Sequence, residues 1–150
     1  MKEIEKIKII AQNKKAHFNY FLSDFLECGL VLKGTEIKAI RTKGCSIVDS
    51  YVVFRSNEVD LVNMHIATYE QGNIFNHEPR RTRRLLLNKK EIRYFMERTR
   101  SGGYTVVPTK VYFKRGKVKA EIALAKGKKL YDKRETIKAR DLSREMKEEY

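Results

Sequence analysis

A regular alternation of apolar and charged residues near the end of the chain constrains its fold most. In KVKAEIAL, which begins at Lys117, every second residue is apolar. Val118, Ala120, Ile122 and Leu124 would therefore share one face of a strand, and the charged residues the other. A second apolar run, YTVVPTKVYF, precedes it, and Arg115-Gly116 can form a turn between the two. These residues predict an antiparallel hairpin whose apolar face other elements must cover.

Further strands are predicted upstream. Residues 18–32 are rich in aromatic and branched side chains without a helical stripe, which indicates one long or bent strand with Gly29 at a bulge or close approach. Residues 51–66 indicate a hairpin that turns at residues 56–58. In its return strand we expect Val62, Met64 and Ile66 to share a face.

Two helices are predicted between the strands. Thr35 can cap a short helix that Gly44 ends. Asn88 can cap a longer one, with Glu91 completing a capping box and Gly102-Gly103 stopping it. We expect the N-terminus to be loose until about Ile9. At least five strands with short helices indicate a mainly β fold, a small antiparallel barrel of the oligonucleotide-binding (OB) type over residues 1–131.

The distribution of charge indicates a polyanionic partner. The chain has 33 Lys and Arg against 19 Asp and Glu, a formal net charge of +14. Two segments, RRTRRLLLNKKEIR and KVYFKRGKVKAEIALAKGKK, each contain a single glutamate among their basic residues. A face that serves only solubility usually mixes both signs. Nucleic acid is therefore the first choice of partner, and an anionic membrane surface the second.

Other classes of protein find little support in the sequence. No apolar run approaches the ~20 residues of a spanning helix, so we expect no membrane partner and a cytoplasmic monomer in which Cys28 and Cys45 are free thiols. The histidines and cysteines lack metal-ligand spacing. Asp24 and Glu27 are a weak acid pair, because strand residues three apart face opposite sides. We expect no enzyme, metal or cofactor.

Most aromatic residues of the predicted strands should pack in the core, with one or two free to present a ring to a base.

Residues 132–150 differ from the rest of the chain. The segment DKRETIKARDLSREMKEEY has six basic and six acidic residues and few large apolar ones, which predicts disorder in isolation. Ala139, Leu142, Met146 and Tyr150 would nevertheless line one side of a helix. We expect a tail that becomes helical on a partner; a plain solubility tail is the alternative.

Several stretches, taken in order, resemble one family. QNKKAHFNY, ECGLVLKGTEIKAIRTKG, DSYV, NHEPRRTRRLLLNKKEI, YTVVPTKVYFKRGKVKAEIALAKGKKLYDKRE and IKARD resemble the small protein B, or SsrA-binding protein, family, and cover most of residues 12–141. The resemblance implies an OB-type barrel that is not an enzyme. It implies binding to the tRNA-like domain of transfer-messenger RNA and its delivery to stalled bacterial ribosomes for trans-translation. The tail would probe the empty messenger path beside the small-subunit decoding region.

The resemblance also implies site residues. Matching positions give an RNA-binding set of Asn13, Lys14, Glu27, Leu86, Lys126, Gly127 and Lys128. Proximity in sequence adds Lys15, Glu36, Arg41, Arg80, Arg81 and Lys129. In the tail, the ribosome-binding set is Asp132, Lys133, Arg134, Lys138, Arg140 and Arg144. The lysines suit phosphate contacts.

Some roles stay open at this point. Glu27 could accept from base amino groups or hold a neighbouring cation, and Leu86 could pack on a base or on the core. The tail departs from the family pattern by ending in KEEY rather than in basic residues. A general RNA-binding or ribosome-associated OB protein is the alternative function, and an RNA-processing enzyme a more distant one.

Overall fold

A computed structural model of the protein describes residues 7–69, 71, 76–128 and 134. Seven strands form one antiparallel sheet in the order β1-β6-β7-β2-β5-β4-β3. The strands are β1 (Ile7–Gln12), β2 (Tyr20–Leu30), β3 (Tyr51–Arg55), β4 (Glu58–Val62), β5 (Arg83–Leu86), β6 (Thr105–Lys114) and β7 (Lys117–Gly127). The helices are α1 (Lys14–Asn19), α2 (Gly34–Lys43) and α3 (Lys89–Ser101).

The sheet curls on itself, because β3 at one end of the strand order also lies beside β6. Its concave face holds the main core, which includes Val59, Leu61, Val111 and Ile122. The mainly β class with short helices and the antiparallel, barrel-like sheet are thus confirmed.

The C-terminal hairpin forms as the alternation predicts. The strands β6 and β7 pair from Thr105↔Ala125 to Lys114↔Lys117 around the Arg115-Gly116 turn. Val118, Ala120, Ile122 and Leu124 are all buried. Ala123 and Ala125 are buried as well, because the opposite face of β7 is covered where α1 packs near Val107.

The strand β2 bends at a bulge between Ser23 and Leu26, where its register with β7 shifts. Asp24 there has a φ of 53°. Gly29 lies beyond the bulge at a close approach, since a Cβ on it would lie 3.2 Å from Leu86 Cδ1. The predicted bend and close approach are both present, but they are different sites.

The helix predictions were correct at α3 and partly wrong elsewhere. At α3, Asn88 Oδ1 accepts from Glu91 N and Glu91 Oε1 accepts from Asn88 N, each at 2.9 Å. At α2, Gly44 ends the helix as expected, but Thr35 is not the cap. The N-cap is Lys33, two residues earlier, and its N–H donates to Glu36 Oε1 at 2.8 Å.

The described N-terminal residues differ from the expectation of a loose chain until about Ile9. The chain is paired from Ile7 onward, because β1 lies along β6 with Ile7 opposite Lys114. The helix α1 was not predicted; Asn13 caps it by accepting from Ala16 N at 3.0 Å.

The return strand of the first hairpin ends earlier than predicted. It stops at Val62, and Asn63 takes a φ of 69°. This residue shifts the alternation, so Leu61, Met64 and Ile66 are fully buried while Val62 is only half-buried. The expected common face of Val62, Met64 and Ile66 is therefore wrong.

Several sequence-based predictions fall outside the described residues. They are the contact of Lys129, the tail as a unit over residues 132–150, and the roles of Asp132, Lys133, Lys138, Arg140 and Arg144. Arg134 is exposed. None of the helices in the described part of the chain combines the length and the apolar composition that spanning a membrane requires. Cys28 and Cys45 are free thiols.

Candidate RNA-binding surface

The first part of the surface lies where β7 ends beside α1. Gly127 pairs with Tyr20 at the start of β2. Lys128 N then donates to Asn19 O at 2.9 Å, and Lys128 Nζ to His17 O at 3.3 Å. These bonds fix the path of the chain after the barrel. They also place Lys128 against α1. We group the half-buried Lys128 with the exposed Lys126 and the exposed Lys14-Lys15 pair on α1, and call this set the α1 patch.

Asn13 is a buried residue that fixes the position of α1 under the α1 patch. Its side chain is 1% exposed. Besides capping α1, its Nδ2 donates to Ile47 O at 3.2 Å and Pro108 O at 3.0 Å. Asn13 therefore lies inside the protein and positions α1 rather than facing a ligand. Lys14 and Lys15 are exposed, and Lys15 Nζ lies 3.1 Å from Asp49 Oδ1.

Gly127 faces open space. A Cβ built on it would meet nothing within 4 Å. The fold itself therefore leaves room for a side chain at this exposed position, which is compatible with a close approach by a ligand.

The second part of the surface lies at the far end of β2. There Gly29 pairs with Leu86 of β5 on one side and with Lys119 of β7 on the other. Leu86 is 60% exposed, so it does not pack in the core. Glu27 lies two residues before Gly29 on the same strand. We call Glu27, Leu86, Lys114 and Lys119 the Glu27 patch.

Glu27 is held by two neighbours from β6. Tyr112 donates a hydrogen bond to Glu27 Oε2, and Lys114 Nζ lies 3.2 Å from both carboxylate oxygens. The hydrogen bond from Tyr112 is the largest influence and lowers the pKa of Glu27. Burial raises this pKa, but the hydrogen bond and charge of Lys114 lower it further, so the pKa lies below its usual value. Glu27 is therefore a fixed carboxylate that itself holds a lysine on the surface.

Glu36 belongs to the interior. It is 0% exposed, and its carboxylate lies 2.6 Å from Arg81 Nη2 and 2.6 Å from Arg83 Nε. Burial raises the pKa of Glu36, but the bonds from Arg81, Lys33 N–H and Arg83 outweigh it and hold the pKa below its usual value. Arg83 is equally buried and also donates to Met64 O. This network joins α2 to β5 and to the segment before it.

Other predicted arginines lie on the surface. Arg80 is exposed and donates to Asn63 Oδ1 at 2.8 Å. Arg41 is exposed above the Phe113 ring, at 5.9 Å from its centroid. Arg81 is half-buried, because its guanidinium bonds Glu36.

The two patches are separated by almost the length of β2. Gly29, paired with Leu86, lies nine residues after Tyr20, which is paired with Gly127. At ~3.3 Å per residue that is about 30 Å. A ligand that touches both patches must therefore span about this distance.

Sequence reasoning missed Tyr112, Lys114 and Lys119 as site residues. Their signal was available, since Lys110, Tyr112 and Lys114 alternate along β6 and so share a face. Among the described residues, no group of three His, Cys, Asp or Glu side chains is placed to hold a metal ion.

Comparison with known proteins gives one consistent result. The family model described as SmpB protein matches residues 10–150. An SsrA-binding protein from Thermoanaerobacter pseudethanolicus is 53% identical over 146 residues, covering 97% of this chain and 94% of the relative. One from Trichodesmium erythraeum is 54% identical over 140 residues, covering 93% and 90%.

A solved structure agrees with these relatives. A chain from a study described as "tmRNA-SmpB: a journey to the center of the bacterial ribosome" superposes with a TM-score of 0.62. It is 37% identical, and the match covers 84% of this chain and 85% of that one.

Proposed function

The chain belongs to the SmpB protein family, and from this premise we propose that it binds the tRNA-like domain of transfer-messenger RNA and delivers that RNA to stalled ribosomes. The observation that carries the proposal is the match over nearly the whole chain to proteins named for binding SsrA. The neighbouring structure couples the same family with transfer-messenger RNA and the bacterial ribosome. The partners are therefore one structured RNA and the ribosome.

The site residues fit this function in two ways. Lys14, Lys15, Lys126 and Lys128 present ammonium groups where phosphates of the RNA would lie. Glu27, Leu86 and Lys119 form the second contact about 30 Å away along β2. We propose that Lys129, Arg41 and Arg80 also contact the RNA. Asn13, Glu36 and Arg81 act on RNA binding through the surface residues they hold.

The tail completes the proposal. After the barrel of residues 1–131, residues 132–150 would enter the empty messenger path and fold as a helix against ribosomal RNA. Lys133, Arg134, Lys138, Arg140 and Arg144 would meet phosphate, and Asp132 marks the start of the segment. We also propose that the protein acts in the cytoplasm, as a monomer, and without catalysing a reaction of its own.

A competition experiment tests the RNA specificity. Labelled tRNA-like domain is bound to the full chain at one moderate salt concentration and challenged with unlabelled tRNA-like domain, duplex RNA or single-stranded RNA. Strong preference for the tRNA-like competitor is expected, whereas equal competition by all three would indicate a general RNA-binding protein. Intact RNA after incubation with Mg²⁺ or Mn²⁺ is expected as well, and cleavage would indicate an enzyme.

The salt dependence of binding tests the α1 patch. Replacing Lys126, Lys128 and Lys129 with alanine should weaken binding and lower the slope of log K against log salt by ~0.7–0.9 per lost phosphate contact. Lys8→Ala/Lys89→Ala, at two exposed lysines outside both patches, is the control, and its effect is compared per charge removed. An unchanged slope in the triple variant would show that these lysines only aid solubility.

A further inference from the structure

A groove outside both patches carries two exposed aromatic rings. It lies between the bulge of β2 and the N-terminal half of α3, and encloses about 350 Å³, near the lower end of the ~300–1,000 Å³ typical of ligand sites. Phe25 and Tyr94 line it and are 51% and 38% exposed. Leu26 and the buried Phe95 form its apolar floor.

The backbone is bent in a way that places Phe25 in this groove. In the described structure, only Gly29 and Leu30 of β2 pair with β5, so the earlier half of that edge is left open beside α3. The bulge, with Asp24 in the left-handed region, turns Phe25 away from the barrel core. Tyr94 Oη donates to Asp24 Oδ2 at 2.6 Å and so holds the bulge against α3. Bulges are common beside functional sites, where they redirect a side chain as this one redirects Phe25.

Cations surround the rings of this region. The Arg98 guanidinium lies 4.9 Å from the centroid of the Tyr94 ring. At the start of β2, Lys128 lies 5.1 Å from the centroid of Phe21, another half-exposed ring. Lys90 borders the groove itself. Rings accompanied by cations are how proteins bind single-stranded nucleic acid, because the ring stacks on a base and the cation meets the phosphate.

The two acids of the groove do not oppose this ligand strongly. Asp24 accepts from Tyr94 Oη, and Glu91 accepts from Asn88 N in the α3 capping box. Both carboxylates are therefore already hydrogen-bonded within the protein. Lys90 and Arg98 are exposed to solvent. Lys90 and Arg98 offset the charge of these two carboxylates, and the net charge of +14 of the whole chain favours a phosphate-bearing ligand over a cationic one.

We propose that this groove, lined by Phe25 and Tyr94 with Arg98 beside the Tyr94 ring, is a stacking site for one unpaired base of the RNA partner. Phe25 and Tyr94 supply the stacking surfaces, and Arg98 or Lys90 meets the adjacent phosphate. The inference rests on the proposed function only in taking RNA as the ligand. It adds a contact to unpaired nucleotides on the α3 side of the barrel.

Fluorescence of a modified base tests the proposal with the full chain. The probe is a short single-stranded RNA with one 2-aminopurine, whose emission falls when it stacks. Phe25→Leu/Tyr94→Leu removes both rings at similar volume and should weaken binding of this probe roughly 5- to 150-fold and abolish the quenching. Phe25→Tyr keeps the ring and leaves the Tyr94–Asp24 hydrogen bond intact, so it should restore the binding and quenching that the leucine variant loses. Tyr51→Leu, at a comparably exposed tyrosine on β3, should change neither.

The outcomes separate this proposal from the proposed function. Unchanged quenching in the leucine double variant, with thermal melting showing that it is folded, would overturn the stacking site while preferential binding of the tRNA-like domain stands. Ring-dependent quenching without preference for the tRNA-like domain would support the groove and contradict the proposed function. A 4-thiouridine in the same probe should crosslink to a peptide containing Phe25 or Tyr94; crosslinks confined to residues 126–128 would also overturn the groove.

Discussion

Tyr112 and Glu27 are joined across an intervening strand. Tyr112 lies on β6 and Glu27 on β2, with β7 between them, and the phenol donates to the carboxylate over β7. Tyr112 is 2% exposed, so it ties a surface carboxylate to a fixed point of the sheet. Burial, and to a smaller extent the hydrogen bond to Glu27, raise the pKa of Tyr112. The phenol therefore stays protonated and remains a hydrogen-bond donor. The Glu27 patch is therefore prearranged before RNA arrives.

Glu27→Gln should weaken binding of the tRNA-like domain about fivefold, because a charge-assisted hydrogen bond is worth about 1 kcal/mol more than a neutral one. Glutamine can still accept from Tyr112 Oη but no longer holds Lys114 by charge. The free energy of unfolding should change by less than about 1 kcal/mol, as for other exposed ion pairs. Mobility shift and thermal melting measure the two effects. A large loss of stability at normal affinity would assign Glu27 to the fold.

Tyr112→Phe is the partner experiment to Glu27→Gln. It keeps the charge of Glu27 and removes the bond that fixes the carboxylate. Weaker RNA binding in this variant would show that the position of the carboxylate matters. Normal binding would show that its charge alone suffices.

Gly127→Ala should separate RNA binding from folding. A Cβ there has open space in the protein alone, so stability should stay the same or rise by up to about 1 kcal/mol. If the RNA backbone approaches this glycine, the methyl group should cost about tenfold in affinity, which is about 1.4 kcal/mol. Gly34→Ala, which also has open space at the start of α2, is the control in both assays. Unchanged RNA affinity for Gly127→Ala would remove this residue from the site.

The capping box of α3 and the last hairpin were predictable from sequence because their determinants are local. Asn88 and Glu91 satisfy each other within one helical turn. The alternation of β7 needs only its own residues to specify a face. In both cases the residues that determine the structure lie within a short stretch of sequence.

The missed features depend on distant partners. Asn13 caps α1 while bonding Ile47 O and Pro108 O, which are far away in sequence. The strand β5 was interpreted only as a basic cluster, because the burial of Arg83 requires Glu36 from α2. Asn63 shifts the alternation after β4 through one left-handed backbone conformation, which its residue type permits but does not specify. The same holds for the bulge at Asp24.

Glu36→Gln should destabilise the protein by about 3–5 kcal/mol, since it leaves the buried Arg83 without its counter-charge. The matched control is Asp49→Asn, which breaks an exposed pair with Lys15 and should cost no more than about 1 kcal/mol. Denaturant unfolding at neutral pH measures both. Equal losses in the two variants would contradict a special role for the buried network.

The same network predicts how stability depends on pH. The pKa of Glu36 in the folded protein is below the 4.5 of an unperturbed glutamate. Its contribution is therefore complete above pH 4.5 and is lost as the pH falls through the folded-state pKa. Unfolding free energies measured from neutral pH down into this acid range should fall more steeply for the unmodified protein than for Glu36→Gln. Identical slopes would show that Glu36 does not titrate differently in the two states.

Truncation after Tyr131 should separate the barrel from the tail. Residues 132–150 have balanced charge and one narrow apolar stripe, so their helix should be marginal alone and gain its stability from phosphate contacts on the ribosome. Ordering the tail costs conformational entropy, so it can act as a check that the messenger path is empty. The truncated protein should bind the tRNA-like domain normally, while peptide tagging in a translation system stalled on a messenger without a stop codon should cease.

Leu142→Pro should also bind the RNA and fail to tag, because proline removes a helical hydrogen bond and clashes with the preceding turn. Leu142→Met should tag normally. Tagging by the truncated protein would contradict the role of the tail, and loss of RNA binding would place the boundary of the barrel beyond Tyr131.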